Sequence, residues 1–270
     1  MAASDKLFAG SIPEVYDRFM VPLTFEPYAR DLAGRLASVK PQDVLETAAG
    51  TGVLTRAMGS RLAANVRIVA TDLNQPMLDH AAARERTPSR ITWRQADALA
   101  LPFEDQSFDA VACQFGAMFF PDKVLGYGQA RRVLKPGGHF FFNVWDEIAE
   151  NEFADVVTDT LATIFPNDPP RFMARTPHGY HDVKRLREEL IRAGFAQVSI
   201  ETRGDISRAA SPREPAIAYC QGTPLRNEIE VRDPSGLEAA TQACAEALAR
   251  RFGSGPVAGR IRAHVITAIR

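Results

Sequence analysis

From about residue 40 onward, short aliphatic runs alternate with longer segments of helical period. Lys40 to Asp43 leads into Val44-Leu45-Glu46, which reads as a buried strand ending in a small-residue turn. Residues 53–63 read as a helix and 66–70 as a second strand, ending at Thr71-Asp72. Asn74 is placed to cap the next helix, with Pro76 in its first turn and Met77, Leu78, Ala81 and Ala82 at helical spacing. Further strands are expected at 91–95, 108–113, 139–145 and 195–201. A helix over 123–134 should stop at Pro136-Gly137-Gly138, and Asp182 and Gly194 should bound another.

Repeated strand–helix alternation implies an α/β fold, a mostly parallel sheet with helices on both faces. Such sheets bind ligands at the carboxyl ends of their strands. The residues ending strands one to four should therefore line one pocket. Two regions break the alternation. Residues 1–39 look helical and aromatic, with Phe8, Tyr16, Phe19, Phe25 and Tyr28, and 207–257 form a second helical stretch. A last β-like run follows at 263–269. The expected organisation is one domain: an arm (1–39), a core (40–206), a helical cap (207–257) and a last strand (258–270).

Charge changes this picture little. The 270 residues carry 32 Lys plus Arg against 33 Asp plus Glu, without the basic excess expected of a nucleic-acid binder. Cys113, Cys220 and Cys244 are far apart and form no metal-ligand spacing, which argues for a reducing, cytoplasmic location and no metal site. The N-terminus lacks the signature of a signal peptide, and no run approaches the roughly 20 apolar residues of a membrane span.

The candidate chemistry sits at Val44-Leu45-Glu46-Thr47-Ala48-Ala49-Gly50-Thr51-Gly52. Strand, small-residue turn and helix start allow a ligand to approach the main chain and the helix N-terminus. Asp72 ends strand two, twenty residues after Gly52, where a carboxylate accepts the hydroxyls of a ribose. Asp97, ending strand three, faces the same rim. Together these point to an adenosine-containing ligand. A dinucleotide fingerprint fits poorly, because Thr55 stands at its third small position. Glu46 suits a ligand with an ammonium group and a sulfonium better than a pyrophosphate.

Here the sequence resembles the class I S-adenosylmethionine-dependent methyltransferases, most closely the ubiquinone/menaquinone-biosynthesis (methyltransferase type 11) subgroup. The matching segments are 44–52, Ala-Thr-Asp-Leu-Asn-Gln-Pro-Met-Leu (70–78), Ala-Asp-Ala-Leu-Ala-Leu-Pro-Phe-Glu-Asp-Gln-Ser-Phe-Asp (96–109), Arg-Val-Leu-Lys-Pro-Gly-Gly (132–138) and Ala-Gly-Phe (193–195). Ala48 departs from the family, which often has a glycine there. The resemblance implies a seven-stranded Rossmann-like sheet with an antiparallel last strand. It also implies that S-adenosylmethionine, leaving as S-adenosylhomocysteine, is held by Glu46, Ala48, Gly50 and Gly52 at its methionine end. Asp72 would hold the ribose, Met77, Asp97 and Ala98 the adenine, and the Gln114 main chain the amino-acid end, with Leu73 also among the cofactor-binding residues. The Asp/Asn-Pro-Pro-aromatic motif of nucleic-acid amino methylases is replaced by Gln114-Phe115-Gly116-Ala117, which favours a small-molecule acceptor.

Methyl transfer from a sulfonium is an in-line displacement that depends mainly on orientation. Residues expected to overhang the strand ends on the acceptor side are Tyr16, Phe19, Phe115, Met118, Phe119, Trp145 and Tyr180. Their aromatic character suits an aromatic or apolar metabolite and a cationic sulfonium. His181 and His178, with Tyr16, are the candidate bases if the acceptor must lose a proton. Two rival readings are a non-catalytic S-adenosylmethionine-binding protein and an NAD(P)-dependent oxidoreductase on a similar sheet.

Overall fold

The computed structural model describes residues 10, 12–85 and 90–270; Phe8 and most of the first eleven positions of the expected arm lie outside the described residues. In chain order the elements begin with α1 (Ile12–Val15), a π-helical stretch (Tyr16–Phe25), α2 (Glu26–Ser38), β1 (Asp43–Glu46) and α3 (Val53–Arg61). β2 (Arg67–Asp72), α4 (Gln75–Ala83), β3 (Ile91–Gln95), β4 (Phe108–Gln114), α5 (Lys123–Val133) and β5 (Leu134–Trp145) follow. The chain continues through α6 (Glu152–Ile164), α7 (Phe172–Arg175), α8 (Val183–Arg192) and β6 (Gln197–Ala209). It ends with α9 (Arg213–Gln221), α10 (Leu225–Arg232), α11 (Leu237–Phe252) and β7 (Val257–Ile269).

The strands form one seven-stranded sheet in the order β3-β2-β1-β4-β5-β7-β6. β1 to β5 pair in parallel. β7 runs antiparallel to β5: Gly137 N donates to Arg270 O and Arg270 N to Gly138 O, while Asp146 N donates to Arg262 O. β4 is buried along its length except at Asp109, as expected of a central strand covered on both faces.

The chain forms two compact units. One contains residues up to Phe25, Trp145–Gly179 and Gly204–Arg262; the other contains Glu26–Val144, Tyr180–Arg203 and Ala263–Arg270. In the second unit, Tyr127, Phe140 and Phe142 form a buried aromatic cluster with ring centroids 4.7–5.9 Å apart. Asp122 caps α5 by accepting from Leu125 N at 2.9 Å, and Asp182 caps α8 by accepting from Lys184 N at 2.8 Å. Gly194, at φ +95°, ends α8.

In the first unit, α9 packs on α11, with Cys220, Cys244 and Leu248 fully buried. The N-terminus of α6 is fastened to β7. Asn151 Oδ1 accepts from Arg262 N, and Glu152 accepts from Arg260 N at 2.7 Å and from Arg251 at 2.9 Å.

Several boundaries differ from the sequence expectation. β5 begins at Leu134, not after the Pro136-Gly137-Gly138 segment, because Gly137 and Gly138 exchange hydrogen bonds with Arg270. β6 runs on to Ala209, so the cap's helices start at Arg213 rather than near 207. β7 begins at Val257, ahead of the expected 263.

Candidate cofactor site at the strand tips

The parallel register aligns Glu46 with Ala70 and Asp72 with Gln95, so β1, β2 and β3 end side by side. Glu46 closes β1 and is 1% exposed. Its Oε2 accepts a hydrogen bond from Thr55 Oγ1 of α3 at 2.5 Å. Burial, opposed by that hydrogen bond, pushes the Glu46 carboxyl up to about 8. Asp72 closes β2 and is also buried. Its Oδ2 accepts from Gly50 N and its Oδ1 from Asn74 N, both at 2.8 Å, and burial raises its pKa. Oδ1 also accepts from Asn74 Nδ2, at 3.4 Å.

The turn between these carboxylates is held by its own backbone. Thr47 N donates to Ala112 O and Ala49 N to Thr71 O, both at 2.9 Å. Thr71 Oγ1 donates to Glu46 O at 2.9 Å. Ala48, Gly50 and Gly52 all have positive φ, at 54°, 55° and 80°. A Cβ on Gly50 would meet only Met77 Cε, at 3.7 Å, whereas one on Gly52 would lie 2.8 Å from the Trp93 ring. Gly52 is therefore fixed by Trp93 as well as by its backbone, a partner that sequence reasoning missed. Thr55 was missed too: it looked like a failed glycine position and instead holds Glu46.

Thr51 Oγ1 is buried and has no hydrogen-bond partner among the described residues, in the turn where ligand polar groups are expected. With two buried carboxylates and an open approach at Gly50, the cradle fits a ligand bearing hydroxyls and positive charge. Leu73 is 44% exposed beside Asp72, and Met77 is buried against the turn. Asp97 is exposed just past β3, where its carboxylate accepts from Leu99 N at 2.9 Å, with Ala98 half-buried beside it.

Gln114 ends β4 and is buried, followed by Phe115 at φ 49°. Phe115 and Met118 are buried and Phe119 half-buried, within or beside a short 3₁₀ turn. Phe115 meets Tyr28 edge-on at 5.3 Å. Tyr180 is in the same unit, but its hydroxyl is already engaged. It donates to Glu189 Oε2 and accepts from Tyr127 OH at 3.0 Å. His181 is half-buried at the start of that segment.

The remaining acceptor-side candidates belong to the other compact unit. Tyr16 stacks on Phe25 at 5.2 Å, Phe25 lies 5.8 Å from Trp145, and Trp145 lies 6.0 Å from His178. Phe19 is half-buried, with the Arg18 guanidinium 5.0 Å from its ring. His178 is buried, and its Nδ1–H donates to Asp146 O at 2.8 Å. In the neutral ring this makes Nε2 the basic nitrogen. Among the described residues there is no cluster suited to a metal and no helix long and apolar enough to cross a membrane.

Residues 44–138 match the family model described as a methyltransferase domain. The chain is 30% identical over 168 residues to the ubiquinone/menaquinone biosynthesis C-methyltransferase UbiE of Saccharophagus degradans, covering 57% of this chain and 67% of that protein. It is 26% identical over 210 residues to the demethylmenaquinone methyltransferase of Lactococcus lactis, covering 72% and 82%. Among solved structures it is similar in fold to Haemonchus contortus phosphoethanolamine N-methyltransferase 2 bound to S-adenosyl-L-methionine. The TM-score is 0.61 at 16% identity, over 100% of this chain and 60% of that one.

Proposed function

Because the chain belongs to the class I S-adenosylmethionine-dependent methyltransferases of the ubiquinone/menaquinone-biosynthesis type, we propose that it methylates a ring carbon of a small quinone-precursor acceptor. Its cofactor is S-adenosylmethionine, and its acceptor is a small molecule. Bound S-adenosylmethionine supplies an electrophilic methyl carbon on a cationic sulfur.

The residues then divide the work. Glu46 and the Ala48–Gly52 turn hold the methionine end, with the buried carboxylate countering positive charge. Asp72 and Leu73 hold the ribose, and Met77, Asp97 and Ala98 border the adenine. The Gln114 main chain borders the amino-acid end. The observation that carries this assignment is the pair of buried carboxylates, Glu46 and Asp72, at adjacent strand tips around one glycine turn.

A quinone-precursor ring is supported by the activities of the relatives and by the aromatic character of Phe115 and Phe119 beside Met118. His181, in the same unit as the cradle, is its candidate base, because a carbon acceptor must shed a proton to restore its ring. A reducing, cytoplasmic setting accords with Cys113, Cys220 and Cys244, all free thiols.

The test is transfer of labelled methyl from S-adenosylmethionine to reduced benzoquinone and naphthoquinone rings, beside amine and carboxylate acceptors. Carbon-bound label on the rings is expected. Label only on the amines or carboxylates would overturn the acceptor assignment.

A further inference from the structure

Asn143 of β5 is fully buried and aligned with Gln114, the last residue of β4. Its side-chain Oδ1 accepts from Phe115 N at 2.9 Å, and its main-chain oxygen accepts from the same N–H at 3.2 Å. Its Nδ2 has no hydrogen-bond partner among the described residues. Exchanging the two amide atoms would not help, since Nδ2 would then face the Phe115 N–H. A buried amide with one unused end is a poor device for stability, because an apolar residue of similar shape avoids the desolvation cost.

What the amide does hold is unusual. Phe115 has a φ of 49°, uncommon for a bulky side chain. The next residue, Gly116, packs where any Cβ would run into Ala48 Cβ and lie 2.8 Å from Cys113 Sγ. Ala48 itself has a positive φ of 54° and opens the turn that reaches Gly50 and Gly52. The amide thus grips one strained turn, and that turn abuts the other.

We infer that Asn143 is a positioning residue for cofactor binding: through the Phe115 N–H it sets the Phe115–Gly116 turn against Ala48, and so fixes the cradle between Glu46 and Asp72. This role rests on the cofactor placement proposed above. It touches no reacting atom.

The experiment measures S-adenosylhomocysteine affinity by calorimetry, and the melting temperature without ligand, for Asn143→Leu, Asn143→Ala and the parent chain. Both variants should bind at least tenfold more weakly. Asn143→Leu should melt no lower than the parent, since it removes an orphaned donor. An affinity within threefold of the parent in both variants would overturn the inference. So would weakening that appears only alongside a lowered melting temperature, or loss of the fold in both variants, since either would make the amide structural. Asp72→Ala serves as the control. If it too leaves affinity intact, the cofactor placement fails; if it alone weakens binding, only the role of Asn143 fails.

Discussion

Thr55 Oγ1 donates a 2.5 Å hydrogen bond to Glu46 Oε2, joining the first helix after the glycine turn to the tip of the first strand. The bond opposes burial, and with both acting Glu46 stays protonated up to about 8. A ligand ammonium requires the ionised form, so cofactor binding below that pH must expel a proton. Affinity for S-adenosylhomocysteine should therefore rise with pH, by up to about tenfold per unit, and level off near 8. Glu46→Gln should flatten the profile, and Thr55→Val should move the break to higher pH. Calorimetry in buffers of different ionisation enthalpy would count the released proton directly. The same shift acts on the ligand-free fold with opposite sign. Glu46 is protonated more readily when folded than at its ordinary 4.5, so its contribution to stability is present below 4.5 and lost as pH rises toward 8.

Asp72 should not tolerate asparagine. Both carboxylate oxygens accept from backbone N–H groups, Gly50 on one and Asn74 on the other. An amide offers only one acceptor, so its NH2 must face a second donor whichever way it turns. Asp72→Asn and Asp72→Ala should both weaken S-adenosylhomocysteine binding at least tenfold. Each should also cost about 1–3 kcal/mol of stability from the unpaired buried group. If Asp72→Asn binds as the parent does, the carboxylate has no special role in the cradle.

The strand-tip carboxylates were legible in the sequence because parallel strands are short apolar runs, and their polar terminal residues mark the ligand edge. Glu46 and Asp72 end β1 and β2, and Asp97 falls just past β3. The groups around the cradle were not legible. Thr55 holds Glu46, Trp93 abuts Gly52 and Asn143 holds the Phe115 N–H, through contacts that no sequence period encodes. Pro136-Gly137-Gly138 reads locally as a stop, and only its pairing with Arg270, more than a hundred residues on, makes it a strand. The grouping of Tyr16, Trp145 and His178 into a separate compact unit was hidden for the same reason: the chain returns to that unit from three distant segments.

Tyr180 is an expected acceptor-side residue with its hydroxyl engaged inside its own unit. Its hydroxyl bridges Tyr127 and Glu189 in a buried position, and the Lys123 ammonium lies 4.8 Å from its ring. Tyr180→Phe should lower stability by about 1–2 kcal/mol in urea unfolding, through loss of the hydroxyl's hydrogen bonds. It should leave the KM of the acceptor unchanged. A raised acceptor KM with unaltered stability would mean that the hydroxyl serves the acceptor rather than the fold.

Ala48 and Gly116 make a pair whose sizes are interdependent. Ala48 keeps a methyl group at a φ of 54°, a conformation that costs an L-residue about 1–2 kcal/mol. Its methyl fills the space that a side chain at position 116 would need. Gly116→Ala in the parent should therefore disrupt both turns and weaken cofactor binding more than tenfold. Ala48→Gly alone should be mild, because relief of the strained φ offsets the lost contact and the extra chain entropy. In the Ala48→Gly background, Gly116→Ala should recover much of the lost affinity, although Cys113 Sγ still crowds the new methyl. A double-mutant cycle on S-adenosylhomocysteine affinity reads this coupling, and contact of this kind gives strongly non-additive effects. Additive losses would mean that the two turns do not support each other.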